Sequence, residues 1–388
     1  MRFFTLLAAV PAVLAAPIRE TRADQEVIPN KWIAKFKSGS DANALSSALA
    51  SVGQVLGAEP TRTFNIGAFQ GFAFEGDNAL SQLVANLASI EAIEPDTKVY
   101  ASALITQNNP PYGLARISHR TPSSNYVYDS SAGEGTFAYI IDTGIRTTHH
   151  DFGGRASFGA NFAGDNDNSD GNGHGTHVAG TVGSATYGVA KRTSLIAVKV
   201  LDASGSGSNS GVLEGIAWAA NDMKAKGRTG KAVGNLSLGG VFSQMTNDAA
   251  KAAIDQGLFL AIAAGNSGLP TITSSPASEK SACTVGAIDS TDTLASFSNW
   301  GALVDILAPG LNVTSTWNGS DDDTNTISGT SMATPHITGL GAYLLTLEGS
   351  RTPAALCKRI VDLSTMGAAK GLTLKIGTPN AIAYNGAA

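Results

Sequence analysis

Apolar and polar positions follow two regimes along this chain, and the change of regime near residue 102 divides it. Before that point, residues 27–37 read as a strand, 41–56 as a helix, 67–75 as a strand, 77–87 as a helix and 94–101 as a closing strand. A β-α-β unit followed by another predicts a small ferredoxin-like α+β domain. From residue 137 onward, short apolar runs at 137–141, 194–200, 232–238, 258–263, 282–287 and 304–307 alternate with helical patterns, among them 210–226, 247–256 and 331–347. Alternation of this kind predicts an α/β fold, a mostly parallel sheet with helices on both faces. In such sheets functional groups gather outside the carboxyl ends of the strands. Asp142 directly follows the run 137–141, and Asn266 follows 258–263.

The N-terminus has its own pattern. Arg2 precedes an apolar stretch at 3–14 that ends in small residues before Ala16-Pro17, the layout of a secretory signal over residues 1–15. The stretch is too short to span a bilayer and contains Pro11, and no later run is long enough to cross a membrane. The expected organisation is therefore a signal at 1–15, a small domain at 16–102 and a larger one at 103–388. Of the 388 residues 43% are hydrophobic, enough for a sizeable core, while the net charge of −5 and the absence of any Lys/Arg block argue against a nucleic-acid partner. The only cysteines are Cys283 and Cys357, which in an exported chain can bridge or remain separate buried thiols.

Candidate chemistry centres on Ser331, in the run Ser328-Gly329-Thr330-Ser331-Met332-Ala333-Thr334-Pro335-His336. A serine hydroxyl is a poor nucleophile at neutral pH; it needs an imidazole to take its proton and a carboxylate to orient that imidazole. His174, in Asn172-Gly173-His174-Gly175-Thr176-His177, and Asp142, in Ile140-Ile141-Asp142-Thr143-Gly144, supply the two. Ser331 is expected to open an apolar helix with Pro335 in its first turn, where unpaired N–H groups can hold negative charge. His177 could be half of a metal site with His174, but there is no His-Glu-x-x-His signature or third ligand nearby, so it reads as a structural neighbour. His149 and His150 read as solvent-facing. The acidic run 165–170 lacks the sixth-position glycine and twelfth-position glutamate of an EF-hand loop and reads as a solvated loop. Asn235, Asn312 and Asn318 begin glycosylation sequons; Asn235 falls in a buried run, which leaves Asn312 and Asn318 as the expected acceptors.

The order Asp, His, Ser along the chain is that of subtilisin rather than chymotrypsin or the α/β-hydrolases. The three motifs resemble those of the subtilase family, and in particular its proteinase K branch, the secreted fungal alkaline proteases. The likeness runs from about residue 109 to the C-terminus through Gly113-Leu114-Ala115-Arg116, Ser237-Leu238-Gly239-Gly240, Ala263-Ala264-Gly265-Asn266 and Ser296-Phe297-Ser298-Asn299-Trp300. It implies a secreted, monomeric serine endopeptidase acting on proteins and peptides, with a subtilisin-like fold and no catalytic cofactor. Asn266 would donate to the oxyanion beside the Ser331 N–H. Gly205, Ser206 and Gly207 on one side, with Ser237, Leu238 and Gly239 on the other, would hold an extended peptide as an added strand. Ala264 and Gly265 would line the primary pocket, and the lack of charge there suggests apolar or aromatic preference before the cut.

The same resemblance makes residues 16–102 a propeptide, both folding template and temporary inhibitor, cut off between Ser102 and Ala103 by the enzyme itself. It implies that Cys283 and Cys357 are bonded, and that a structural calcium is held by the Asp305 carboxylate with the carbonyls of Lys280 and Ala282. The chain departs from the branch at Phe137, where a second disulfide is lost, and at Ala368 and Arg120, where a second calcium position is lost. Two rival readings are an inactive binding module and another serine hydrolase such as an esterase. The complete Asp-His-Ser set with Asn266 argues against the first, and the absence of Gly-x-Ser-x-Gly around Ser331 against the second.

Overall fold

The computed structural model describes residues 16–19, 27–37, 42–98 and 104–387. The expected signal at 1–15 and the expected cut between Ser102 and Ala103 lie outside the described residues. Contacts gather into two units, Met1–Ala101 and Ser102–Ala388.

In the first unit β1 (Val27–Phe36), α1 (Ala42–Leu56), β2 (Arg62–Ile66), β3 (Phe69–Glu75), α2 (Asn78–Ala85) and β4 (Ile90–Thr97) follow one another, and the sheet order is β2-β3-β1-β4. This is the βαββαβ arrangement expected of a ferredoxin-like domain. Ala34, Phe36, Phe72, Phe74, Ile90 and Ile93 close its core. Strand β2 escaped the sequence reading because its side chains are mostly exposed and give no apolar alternation. The last strand starts four residues before its expected position, since Ile90 and Ile93 pair with Phe36 and Ala34 of β1 and bury there.

The second unit contains β5 (Leu104–Asn108), α3 (Tyr112–Ser118), β6 (Asn125–Asp129), β7 (Phe137–Asp142), β8 (Ala156–Asn161), α4 (His174–Gly183), β9 (Ser194–Lys199), α5 (Asn209–Ala225), β10 (Ala232–Leu236) and β11 (Gly240–Val241). It continues through α6 (Gln244–Asp255), β12 (Phe259–Ala263), β13 (Ser274–Ser275), β14 (Cys283–Ile288), β15 (Ile306–Pro309), β16 (Val313–Thr316), β17 (Thr324–Ile327), α7 (Thr330–Glu348), α8 (Pro353–Leu363), β18 (Thr365–Met366) and β19 (Ala381–Ile382). The main sheet has the order β18-β19-β15-β14-β12-β10-β7-β9-β8, and every pairing in it is parallel except β18 with β19.

Successive side chains of a strand point to opposite faces, and β7 therefore feeds two cores. Ala138 and Ile140 enter one with Val178 and Val182 of α4 and Ile337 and Leu340 of α7. Tyr139 and Ile141 enter the other, with Val212 and Ile216 of α5 and Ala250 and Ile254 of α6. Helices on both faces explain why these strands are apolar throughout. Helix α6 begins three residues earlier than its apolar pattern suggested, because Ser243 caps it through the Thr246 N–H. Cys283 in β14 and Cys357 in α8 form a disulfide with an S–S distance of 2.05 Å.

Candidate active site

Asp142 ends β7, and His174 starts α4 at the carboxyl side of the same sheet. The Asp142 side chain is fully buried; its Oδ1 accepts the Thr143 N–H at 2.8 Å and faces His174 Nδ1 at 2.7 Å. A carboxylate only accepts, so Nδ1 carries the hydrogen and Nε2 is left as the basic nitrogen. Burial works against a charged His174 ring, but Asp142, by charge and hydrogen bond, and Asp170, by charge, outweigh it and hold the pKa above the ordinary imidazole value. Gly175 is required here, because a Cβ would come within 2.0 Å of the Gly144 carbonyl oxygen.

Ser331 sits one residue into α7, and its Oγ donates to the Ser237 carbonyl at 3.0 Å. Pro335 lies beyond the first helical turn, not in it as expected. Without an N–H, Pro335 cannot bond the carbonyl four residues back, that of Ser331. Ser237 Oγ–H takes that carbonyl at 2.7 Å; it in turn accepts from Asn235 Nδ2, whose Oδ1 receives the Thr338 hydroxyl. Buried Asn235 is thus committed to supporting the Ser331 backbone, which rules it out as an exposed glycan acceptor.

Asn266 follows β12 through Gly265, whose φ of +106° turns the chain outward. Its Oδ1 accepts both the Thr330 N–H and the Thr330 hydroxyl at 2.8 Å. This fixes the amide orientation and leaves Nδ2 to donate elsewhere. His174, Asn266 and Ser331 line one cleft of about 510 Å³ together with Gly205, Ser206 and Gly207 on one wall and Ser237, Leu238 and Gly239 on the other. None of the cleft residues is Asp, Glu, Lys or Arg.

Ala264 and Gly265 are not among the residues that line this cleft. The Ala264 methyl is completely buried with Ile288, Val304 and Leu307, and Gly265 hydrogen-bonds to Thr330 Oγ1 and to the Asn299 backbone. Gly265 thus reaches Asn266 through Thr330, whose hydroxyl donates to Asn266 Oδ1, while Ala264 packs into the core.

His177 is fully buried, with Nε2 at 3.0 Å from the Val313 carbonyl and 3.2 Å from that of Asn325; burial lowers its pKa to about 4. His149 departs from expectation: it is buried, with Nε2 at 2.9 Å from the Asp323 carbonyl, whereas His150 is exposed and faces Asp322. The loop 165–170 is not simply solvated. Asp165 faces buried Lys199 at 3.4 Å, and Asp170 is itself buried. Asp170 was missed because its partners, chiefly Thr143 and Thr176, are hydroxyls and backbone groups that carry no charge pattern; its spacing four residues before His174 was the available signal. Asn318 is half-buried and its Nδ2 donates to the Asp170 carbonyl at 2.8 Å, so the folded protein uses this side chain as a strut; Asn312 is exposed.

Asp305 is partly buried, and its Oδ2 accepts the Thr284 N–H at 2.8 Å. Burial pushes its pKa up to about 6, and it has no cationic partner among the described residues. An acid left in that condition fits a cation. The neighbouring Cys283 and Cys357 sulfurs are bonded to each other, so oxygen ligands such as the Lys280 and Ala282 carbonyls would have to complete the set.

Residues 133–378 match the model described as the Subtilase family. Alkaline protease 1 of Aspergillus clavatus is 47% identical across 98% of this chain and 97% of its own length. The subtilisin-like serine protease AsES of Sarocladium strictum is 48% identical, with 100% and 99% covered, and the cuticle-degrading protease of Metarhizium anisopliae is 46% identical over the whole of both chains. A crystal structure of a cold adapted subtilisin-like serine proteinase superposes with a TM-score of 0.67 at 42% identity, covering 72% of this chain and 99% of the other.

Proposed function

The chain belongs to the subtilase family and is a subtilisin-like serine endopeptidase; from that premise we propose that Asp142, His174 and Ser331 form its catalytic triad, that it is secreted, and that it matures by removing its own residues 16–102. The observation that carries the triad is the convergence of the Asp142–His174 pair, Ser331 and the free Asn266 amide on one uncharged cleft.

In this reading an extended peptide lies between Gly205–Gly207 and Ser237–Gly239 as an added strand. The Ser331 hydroxyl leaves the Ser237 carbonyl, passes its proton to His174 Nε2 and attacks the substrate carbonyl carbon. Negative charge forms on the carbonyl oxygen, which Asn266 Nδ2 and the Ser331 N–H stabilise. Collapse breaks the C–N bond, His174 gives its proton to the leaving nitrogen, and an acyl-enzyme on Ser331 remains until water, activated by the same imidazole, releases it. Subtilases need no cofactor for this chemistry. The uncharged cleft supports a preference for apolar or aromatic residues before the cut.

Outside the cleft, Asp305 supports a structural calcium site and Asn312 a glycan acceptor. The βαββαβ unit supports a propeptide that acts as an intramolecular inhibitor. No helix among the described residues is long and apolar enough to cross a membrane. Hydrolysis of a p-nitroanilide peptide with Phe before the bond, compared with a simple ester and with Ser331→Ala, tests the function. Turnover of the peptide by the wild type alone is expected; peptide turnover surviving Ser331→Ala would reject the nucleophile, and ester turnover alone would make the protein an esterase.

A further inference from the structure

Asp170 is 6% exposed, and all its side-chain partners donate to it. Oδ1 accepts the Thr143 hydroxyl and the Gly173 N–H at 2.8 Å and the Asn172 N–H at 3.1 Å; Oδ2 accepts the Thr176 N–H at 2.8 Å and the Thr176 hydroxyl at 2.6 Å. Five donors and no acceptor form the complement of a carboxylate. Two of these partners tie Asp170 to the site on either side. Thr143 adjoins Asp142, and its oxygen also accepts the Gly175 N–H at 2.8 Å, while Gly173 and Gly175 flank His174. The Asp170 carbonyl is held from outside by Asn318.

The buried acid has no cation within salt-bridge reach among the described residues; Lys199 lies at the same end of the sheet but donates to the Thr143 and Leu201 carbonyls and faces Asp165. An uncompensated charge of this kind acts on the nearest group that can become positive.

We propose that Asp170 is a positioning residue for the reaction, which clamps the loop presenting His174 to the end of the Asp142 strand and adds a second buried negative charge that favours the imidazolium formed during proton transfer. The inference rests on the reading of His174 as general base. The titratable groups on α4 and on the elements packed against it are His177 on the helix itself, Tyr139 and Asp142 in β7, Lys199 in β9, His336, Tyr343 and Glu348 in α7, and His149, His150 and Asp151 in the turn beside the helix, with none from β16; Asp170 lies in the preceding loop. His177 and His336 are held neutral by burial, each with its pKa lowered to about 4. The Asp151 carboxylate is bound to Thr186. Asp142 and Asp170 are the two that raise the His174 pKa.

The test uses the mature full enzyme with active sites counted by sulfonyl fluoride titration, and follows kcat/KM of a peptide p-nitroanilide against pH. Asp170→Asn should move the acid limb down by about half a unit to one unit and lower kcat per active site about tenfold. A residue that only stabilises the fold would reduce the count of active sites and leave the limb in place, so an unmoved limb overturns the electrostatic role. If Asp170→Asn does not fold, Thr143→Ala breaks the hydroxyl link to Gly175 while keeping the charge. It should lower kcat with KM and the acid limb unchanged, and an unchanged kcat overturns the clamp. His174→Ala separates this inference from its premise: activity that persists in that variant rejects the general base itself, whatever Asp170 does.

Discussion

Replacing Asp305 by Asn should stabilise the calcium-free enzyme and abolish its response to calcium, two effects of opposite sign from one substitution. The folded-state pKa is raised from 3.8 to about 6 by burial. The folded protein therefore keeps a proton that the unfolded chain releases, and stability falls as pH rises from about 4 to about 6. Two units correspond to about 3 kcal/mol at pH 8, an upper bound because Asp305 is only partly buried; about 1–2 kcal/mol is the expected penalty. Asn is close to isosteric, can still accept the Thr284 N–H and carries no charge, so the variant should escape that penalty. For a domain of this size each kcal/mol corresponds to about 2 °C in Tm.

The assay is differential scanning calorimetry of the mature enzyme, inactivated with phenylmethylsulfonyl fluoride to prevent autolysis, at pH 8 with chelator or with calcium. Wild type should gain stability with calcium by mass action, whereas Asp305→Asn should melt about 2–4 °C higher than wild type in chelator and show no calcium shift. A variant that melts lower in chelator and keeps the full calcium shift would refute both the cost assigned to the buried acid and its role as a ligand.

Asn266→Ala should reduce kcat about 10²–10³-fold with little change in KM, because it removes a donor used most strongly in the transition state; an equal rise in KM would point to ground-state binding instead. The acid limb of kcat/KM should lie above the ordinary imidazole value, since proton transfer needs neutral His174 and its pKa is raised; a limb below that value would contradict the Asp142 coupling. Joint replacement of Cys283 and Cys357 by Ser should cost about 4 kcal/mol, for the closed loop between them spans 74 positions; calorimetry showing no loss of Tm would contradict this. Ser331→Ala made in a protease-deficient host should retain residues 16–102 covalently by intact mass, and trimming at Ala103 would show that another protease performs the cut.

Much of this molecule is legible in its residues for definite reasons. Strands covered by helices on both faces must be largely apolar along their length, so β7, β9, β10, β12 and β14 stand out, and Asp142 ends one of them while Asn266 follows another. What the pattern did not disclose is held by groups without a hydrophobic period. Strand β2 is mostly exposed, α4 is rich in small residues and starts at His174, and the Asp170 and Ser237 networks consist of hydroxyls, amides and backbone groups. Ala264 was misplaced because adjacency in sequence to Asn266 hides the opposite direction of its methyl, which points into the core while the next two residues turn outward.

The measurement closest to the central claim is peptide mapping by mass spectrometry after reaction with phenylmethylsulfonyl fluoride, alongside residual activity. One sulfonyl group per molecule is expected, on Ser331, with activity lost in proportion to labelling and no labelling in Ser331→Ala. Full activity with Ser331 modified, or inactivation that maps to another residue, would contradict the assignment of the nucleophile.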